Sequence, residues 1–416
     1  MKRDIVIIGG GIAGLCTAYY LQKSGRKVTV IDESDITNST SFGNAGLLSA
    51  FDKSPLSCPG VVTNTLKLML KGQSPAVVHP TLDFKIYKWL FNFIKNSNEK
   101  RTKKTMMLFE KYGEMTLQMY EKMIKEDNLD FDYHRDGMLS VFTEDKSYNE
   151  RLAKYNYTDE ERFKVLTKDE LIDYLPSADE KKIKGAILFK KNARFDSKRV
   201  MLELKRHLKE SGVEFILNER IDSIKIENNE VKNIVSSNNN TYEAEHFIMS
   251  TGYKTVLASK YCKKDLMMTP AKGYSITFDM PKEFIPKVST IFNDLFVVMT
   301  PRRDNVRFTS KLEIGSDDPV IVQKQIDSIK KNFFDYNKKF EISNEVYWSG
   351  FRPLTPNDIP LIGRDEEVKN LTYCMGLGWL GMTFGPAIGS IITDLVVNDK
   401  KNAQSDDILM FSGFYQ

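Results

Sequence analysis

The sequence predicts an α/β protein of two units, one on an open parallel sheet and one on a mixed β-sheet flanked by helices. Three observations carry that expectation. A strand–glycine turn–helix–strand unit opens the chain, a second strand–glycine turn–helix unit closes it, and strands dominate 271–315 between them. At 416 residues the chain is long enough for about two or three core-bearing units.

The opening stretch "DIVIIGGGIAGLCTAYYLQKSGRKVTVIDES" parses element by element. Residues 5–8 are a continuous apolar run, as expected of a strand buried on both faces. Gly9, Gly11 and Gly14 make G-x-G-x-x-G. A helix follows, beginning at Ile12 and Ala13, with Leu15, Ala18 and Tyr19 as its apolar positions and Gly25 as its stop. Residues 28–31 form the next strand, which ends at Asp32 with Glu33 beside it. In this Rossmann-type arrangement the first glycine permits the tight turn and the second lets backbone approach a pyrophosphate. The third lets helix pack on strand, and the helix N-terminus faces the phosphates. Asp32, 18 residues past Gly14, is placed to accept ribose hydroxyls. The fingerprint alone does not separate NAD from FAD, but its position at the very start of the chain is the layout of FAD enzymes. "TNSTSFGNAGLLSA" (37–50) is small, polar and glycine-rich, so its backbone could lie close against a flat ligand.

The bulk numbers exclude several classes. Hydrophobic content of 41% and charged content of 28% describe an ordinary globular chain. Sixty basic and 56 acidic residues leave a net charge of +4 without blocks of one sign, which gives no nucleic-acid footprint. Cys16, Cys58, Cys262 and Cys374 form no CxxC pair and the four histidines are scattered, so no metal site is expected. The N-terminus has the basic start and apolar run of a signal peptide, but Asp4 interrupts it and no A-x-A site follows. No other stretch approaches 18 apolar residues. A cytoplasmic location is expected, with peripheral contact at the inner face of the membrane as its variant.

Further along, "NTLKLMLKG" and the long segment from "LDFKIYKWLFNFIKN" to "EKMIKEDN" read as helices. Lys85, Lys88, Asn92 and Lys95 share one face of the latter and Tyr87, Leu90, Phe91 and Ile94 another. Such a helix can lie in a bilayer interface or turn its apolar face to the core. "HRDGMLSVFTED" gives a strand, and "LTKDELIDYLP" a helix with Thr167 and Glu170 at capping-box spacing. "FDSKRVMLELKRHLKESGVEFILN" is a helix capped by Asp196 or Ser197, stopped at Gly212 and followed by a strand. Residues 220–253 read as a β-meander with Asn-rich turns that closes on an apolar strand ending at Gly252. Near the end, a strand over 371–375 runs into Gly376, Gly378 and Gly381 and then into a helix, whose N-terminus is a second positive dipole end.

"WSGFRPLTPNDIPLIG" (348–363) places three prolines within eight positions, with Arg352 at their head. Pro353 holds Arg352 extended, and Thr355-Pro356-Asn357-Asp358 reads as a β-turn. Such rigidity fits a guanidinium fork held ready for a carboxylate or phosphate, and equally a structural ion pair.

Taken together, the opening fingerprint, "TSFGNAG", "LFNFIKN", "YHRDGMLSVF", "GVEFILNERIDSI", "PAKGYSIT", "FRPLTPNDIPLIG" and "GLGWLGMT" carry a collinear likeness over nearly the whole chain. The chain resembles the FAD-dependent D-amino acid oxidase superfamily and, within it, the bacterial D-amino acid dehydrogenases. The resemblance implies non-covalent FAD. Asp32 and Glu33 would meet the adenosine ribose, and Thr40, Ser41, Ala45, Gly46 and Leu47 the pyrophosphate and flavin. Ile221 would lie near the adenine, with Gly252 also in contact. Residues 376–383, among them Gly376, Gly378, Leu380, Gly381, Met382 and Thr383, would wrap the isoalloxazine. Arg352 would bind the substrate carboxylate, with Tyr274 of "KGYS" as a pocket residue. Where those dehydrogenases usually carry "GHGTLGWT", Leu377 replaces a histidine and Trp379 a small residue, which adds bulk and an indole donor beside the flavin.

The expected organisation is an FAD-binding domain from 1–50, 186–255 and 345–416 and a substrate domain from 51–185 and 256–344. The expected reaction is oxidation of an amino acid, in the D configuration, by hydride transfer from Cα to flavin N5. The imino product then hydrolyses to a 2-oxo acid and ammonia. Glycine, sarcosine or proline oxidase-like chemistry and a flavin subunit of a larger electron-transfer complex are the alternatives. Quinone is the expected electron acceptor, oxygen the alternative.

Overall fold

The computed structural model describes residues 2–50, 54–70, 74, 76–154 and 159–398. Its first sheet has six strands in the order Leu361–Arg364, Leu371–Met375, Ala244–Met249, Arg3–Ile8, Val28–Ile31, Glu214–Ile216. All neighbours run parallel except the first pair. The opening strand is buried on both sides, as its unbroken apolar run requires. Ile5 and Ile7 join the core beneath the helices, while Val6 and Ile8 join the core on the opposite face. Helices Ile12–Lys23, Ser197–Glu210 and Gly381–Val397 contribute to the first of these cores. The meander Ile221–Glu227, Glu230–Ser236 and Thr241–Tyr242 covers the other.

Two helices from opposite ends of the chain touch through glycine. A methyl at Gly389 would sit 2.6 Å from the Cys16 backbone, and one at Gly385 would sit 2.9 Å from Ile12 Cγ1. The last helix can cross the first closely only because these positions have no side chain.

The second sheet has nine strands. Its main path is Ser343–Leu354, Thr269–Asp279, Val306–Ile314, Val297–Pro301, Ser289–Phe292, Met138–Phe142, Gly185–Phe189, Phe163–Val165, and Ala76–Val78 pairs beside Val306–Ile314. It is mixed, with parallel pairs at Ser289–Phe292/Met138–Phe142 and Val306–Ile314/Ala76–Val78. Helix Gln323–Phe334 packs Ile326, Ile329 and Phe333 into the core with Ile276, Phe278 and Phe308.

Local signals hold where they rest on capping chemistry. Thr167 and Glu170 exchange both bonds of the capping box, Asp196 caps Ser197–Glu210, and Gly212 follows that helix at φ +87°. The long helical stretch divides in two, Phe84–Asn96 and Glu99–Asp127, because Asn98 turns extended and caps the second helix through Arg101 N. The apolar strand predicted to close the meander, Ala244–Met249, leaves it to lie in the parallel sheet beside Arg3–Ile8. By hydrogen bonding, Gly185–Phe189 and Ser343–Leu354 belong to the nine-stranded sheet. Among the described residues no helix is long and apolar enough to cross a membrane.

Candidate active site

Strand Ser343–Leu354 stands at one end of the nine-stranded sheet, and the site is built from its side chains upward. In an extended strand alternate residues share a face, so Trp348, Gly350 and Arg352 stand together. They pair directly with Ser275, Gly273 and Ala271 of Thr269–Asp279. The Arg352 guanidinium lies over Gly273, where a methyl would come within 2.0 Å of Nη1. Nη1 donates to the Lys311 carbonyl at 3.0 Å. Among the described residues Arg352 has no carboxylate partner, and burial alone pulls it down to about 10. A half-buried guanidinium without counter-charge is costly to desolvate, and Arg352 lines a cavity into which an anion can come. The turn after it forms as predicted, with Asp358 N on the Thr355 carbonyl and Asp358 itself at φ +59°.

Loop 37–50 forms the second wall, and a buried cation holds it. Arg307, from the neighbouring strand Val306–Ile314, donates through Nη1 to the carbonyls of Phe42 (3.1 Å) and Asn44 (2.9 Å). The Ser197 hydroxyl bonds the same two carbonyls. Burial, aided by Arg302, pulls Arg307 down to about 9, against Asp196. The Thr40 hydroxyl bonds the Phe351 carbonyl at 2.8 Å, and Ser41 Oγ accepts from Ile12 N at 3.1 Å. Ala45 and Leu47 line the cavity. Gly46, at φ +80°, passes so close to Phe195 that a methyl would lie 2.1 Å from its carbonyl oxygen.

The C-terminal glycine turn supplies the third wall. Gly378 N bonds the Pro353 carbonyl at 3.1 Å, which ties this turn to the strand that carries Arg352. Gly378, Trp379, Leu380 and Thr383 line the cavity. Gly376 lies against Thr355 and Met268, and Gly381 faces Ile12. Met382 is buried, and its carbonyl accepts from the Tyr120 hydroxyl. Behind Trp379 sits Asp358, whose carboxylate accepts from Ser57 N (2.9 Å) and Ser57 Oγ (3.1 Å). Burial pushes that carboxyl up to about 6 against hydrogen bonds from Ser57 and the Trp379 indole. Tyr274 also borders the cavity, but alternation turns its ring to the opposite face from Arg352, into the core with Ile276 and Phe333.

The nucleotide end lies along the parallel sheet. A methyl at Gly9 would sit 2.2 Å from the Ser250 carbonyl oxygen, and one at Gly14 would sit 2.0 Å from that of Gly9. Asp32 Oδ2 accepts from Gly10 N at 2.6 Å, and Oδ1 accepts from Ser34 N and Oγ. A carboxylate has about four acceptor sites, so Asp32 can brace the turn and still meet a hydroxyl. Glu33 pairs with Lys254. Ile221 shares the core of Ile8 and Ile31, and Gly252 turns at φ +60° with open space around it.

These residues fit FAD on several counts. At the two helices that reach this region, Ile12–Lys23 and Gly381–Val397, the N-cap residues Gly11 and Leu380 supply no side-chain cap, and at the first only Ile12 N is taken, by Ser41 Oγ, which leaves partial positive charge for an anion. At Gly11 an added methyl would meet only Ser41 Oγ, at 3.6 Å. The Ser39 hydroxyl in loop 37–50 is buried without a protein partner.

Of the residues singled out in the sequence, Arg352 and Gly378 line the same cavity; Arg307, Trp348 and Asp358 beside them were not singled out. Trp348 was legible: Trp348, Gly350 and Arg352 fall at alternate positions of one strand, which puts them on one face. Nothing in the sequence marks Arg307, because its hydrogen bonds go to the Phe42 and Asn44 carbonyls and the Ser197 and Thr277 hydroxyls, none of them an acid.

The family model "DAO: FAD dependent oxidoreductase" matches residues 4–395. A D-amino acid dehydrogenase of Helicobacter pylori is 46% identical over 416 residues, covering 100% of both chains. One of Vibrio atlanticus is 26% identical over 422 residues, covering 97% of this chain and 98% of its own. Among solved structures, glycine oxidase from Bacillus cereus superposes with a TM-score of 0.75 at 20% identity, covering 97% of this chain and 98% of that one. L-proline dehydrogenase from P. horikoshii gives 0.72 at 18% identity, covering 96% and 95%. These two likenesses concern the fold. With its fingerprint and whole-length match, the chain belongs to the DAO family of FAD-dependent oxidoreductases.

Proposed function

We propose that the chain oxidises D-amino acids to imino acids, which water then converts to 2-oxo acids and ammonia. The observation that carries this reading is Arg352, a half-buried guanidinium that borders the cavity with no carboxylate partner among the described residues. A substrate carboxylate would supply the missing charge through paired, charge-assisted hydrogen bonds. Pro353 and the Thr355–Asp358 turn stiffen the backbone around it, which lowers the ordering cost of binding.

In this reading FAD, when bound, supplies the two-electron acceptor. Gly9, Gly11, Ile12, Ala13 and Gly14 would hold its pyrophosphate, and Asp32 and Glu33 its ribose, with Ile221 and Gly252 close to the adenosine. Thr40, Ser41, Ala45, Gly46, Leu47 and the 376–383 turn would enclose the flavin. Arg352 and Trp379 would meet the substrate, and Tyr274 would back the wall from behind. The FAD-binding and substrate domains would divide the chain near the boundaries expected above, with the seams placed where strands change sheet, after 189 and after 354.

Anaerobic bleaching of the flavin absorbance by single D- and L-amino acids, glycine and sarcosine tests the proposal. D-amino acids should bleach it fastest. Faster bleaching by glycine, sarcosine or L-amino acids would overturn the D assignment, and no bleaching by any of them would overturn the enzyme reading.

We further propose a peripheral membrane contact, with a membrane quinone as electron acceptor. Helix Phe84–Asn96 turns Trp89 into the core, where its indole bonds the Leu354 carbonyl, with Ile86, Leu90 and Phe93 around it. That leaves Leu82, Phe84, Tyr87, Phe91 and Ile94 exposed, edged by Lys85, Lys88 and Lys95. An apolar row with basic flanks suits an anionic bilayer surface. Cosedimentation with phosphatidylglycerol vesicles should fall on Phe84→Ser/Phe91→Ser. Rapid hydrogen peroxide formation with no other acceptor present would point to oxygen instead.

A further inference from the structure

One aromatic side chain in the cavity has a place prepared for it. A methyl at Gly43 would lie 2.2–2.4 Å from Cδ2, Cε3 and Cε2 of Trp348, and one at Gly350 would lie 2.0 Å from its Cη2. The indole thus reaches from loop 37–50 to its own strand, filling at both glycines the space a side chain would take. Gly350 is cross-paired with Gly273, the residue over which Arg352 lies. Side-chain positions directly opposite in an antiparallel pair are about 5 Å apart. The tip of the indole and the guanidinium are therefore neighbours on one face of the sheet. A carboxylate seated on Arg352 would present its Cα substituent to that indole.

We propose that Trp348 is a specificity-determining residue: it is the wall that limits the Cα substituent beside Arg352, confining the site to compact aliphatic amino acids. This rests on the carboxylate-clamp reading of Arg352. Removing the indole opens space on the side-chain path and leaves the guanidinium in place. The Gly43 and Gly350 positions, having no Cβ, would not refill it.

The test is a size series that does not depend on turnover. Flavin absorbance changes give dissociation constants for acetate and phenylacetate with the holoenzyme and with its Trp348→Ala and Trp348→Phe variants. Trp348→Ala should shift the preference toward phenylacetate by about tenfold or more, the scale on which pocket size discriminates, and Trp348→Phe by less in the same direction. The kcat/KM ratio of D-phenylalanine to D-alanine should rise in parallel. An unchanged phenylacetate-to-acetate ratio in a variant that still holds flavin would overturn the proposal. If Trp348→Ala does not fold, Trp348→Phe decides. If the wild type binds carboxylates but oxidises no D-amino acid, the function proposed above fails, while the carboxylate ratio still judges Trp348.

Discussion

The two ends of the chain carry the same motif, strand–glycine turn–helix, yet their glycines are there for different reasons. At the first turn, Gly9 and Gly14 have backbone carbonyls where a Cβ would be, at 2.2 and 2.0 Å. At the last turn, Gly376 and Gly378 have φ of +72° and +55°, and around Gly378 an added methyl would meet only ordinary contacts. Gly14 needs to be glycine for close approach alone, Gly9 for close approach at a φ of +111° as well, and Gly378 for backbone shape alone. The last helix shows the first kind of need again farther along, at Gly389 against Cys16. A G-x-G pattern in sequence therefore does not reveal what each glycine costs to replace.

Substitution can break the comparison. Gly14→Ala should be the most severe change, since neither the Gly9 carbonyl nor the helix can yield. A loss of at least about 3 kcal/mol is expected, the large end for single substitutions, together with loss of bound flavin on gel filtration. Gly389→Ala forces the two helices apart and should cost about 2 kcal/mol as overpacking, read as a lowered Tm. Gly378→Ala should cost only about 1–2 kcal/mol, the penalty for a left-handed side chain, and keep its flavin. If all three cost the same, the distinction between close approach and backbone shape is wrong.

The two regions also respond oppositely to pH. Near the last turn, burial holds Asp358 at about 6, above its ordinary 3.8. The folded state then binds more protons than the unfolded chain between those values, so stability falls as pH rises from about 4 to about 6. In the parallel sheet, burial lowers His246 to about 4, below its ordinary 6.5, with its ring against the Thr372 hydroxyl at 2.8 Å. There the unfolded chain binds more protons, so stability rises over nearly the same window. Each effect is up to roughly 3 kcal/mol at full development, and together they largely cancel. Denaturant unfolding from pH 4 to 7 should show a stability rise in Asp358→Asn and a fall in His246→Gln. Parallel profiles for the two variants would contradict the assignment.

The sequence disclosed most of the parallel sheet because its signals are local. Residues 5–8 had to be a doubly buried strand, and Thr167 and Glu170 had to box a helix start. It disclosed less where structure depends on distant pairing. Ala244–Met249 looks like the next turn of a meander, and pairing with Arg3–Ile8 and Leu371–Met375 takes it into another sheet. Helix Phe84–Asn96 showed an apolar face in its sequence, but Leu90 turned inward with Trp89 while Tyr87, Phe91 and Ile94 stayed out. At the site, Arg352 was legible from its prolines. Arg307 was not, because a cation that bonds carbonyls has no acidic partner to seek.

The central claim is that Arg352 clamps a substrate carboxylate, and the rate of flavin reduction against substrate concentration in Arg352→Leu tests it most directly. Breaking one side of a buried charge pair costs roughly 2–5 kcal/mol, so kcat/KM for D-amino acids should fall about thirtyfold to several-thousandfold. Flavin should stay bound, and Arg352→Lys should recover only part, since an ammonium cannot reproduce the fork. The loss should be much smaller for amines that lack a carboxylate. If Arg352→Leu reduces its flavin with D-amino acids as fast as the wild type, and at the same concentrations, Arg352 is structural and the clamp does not exist.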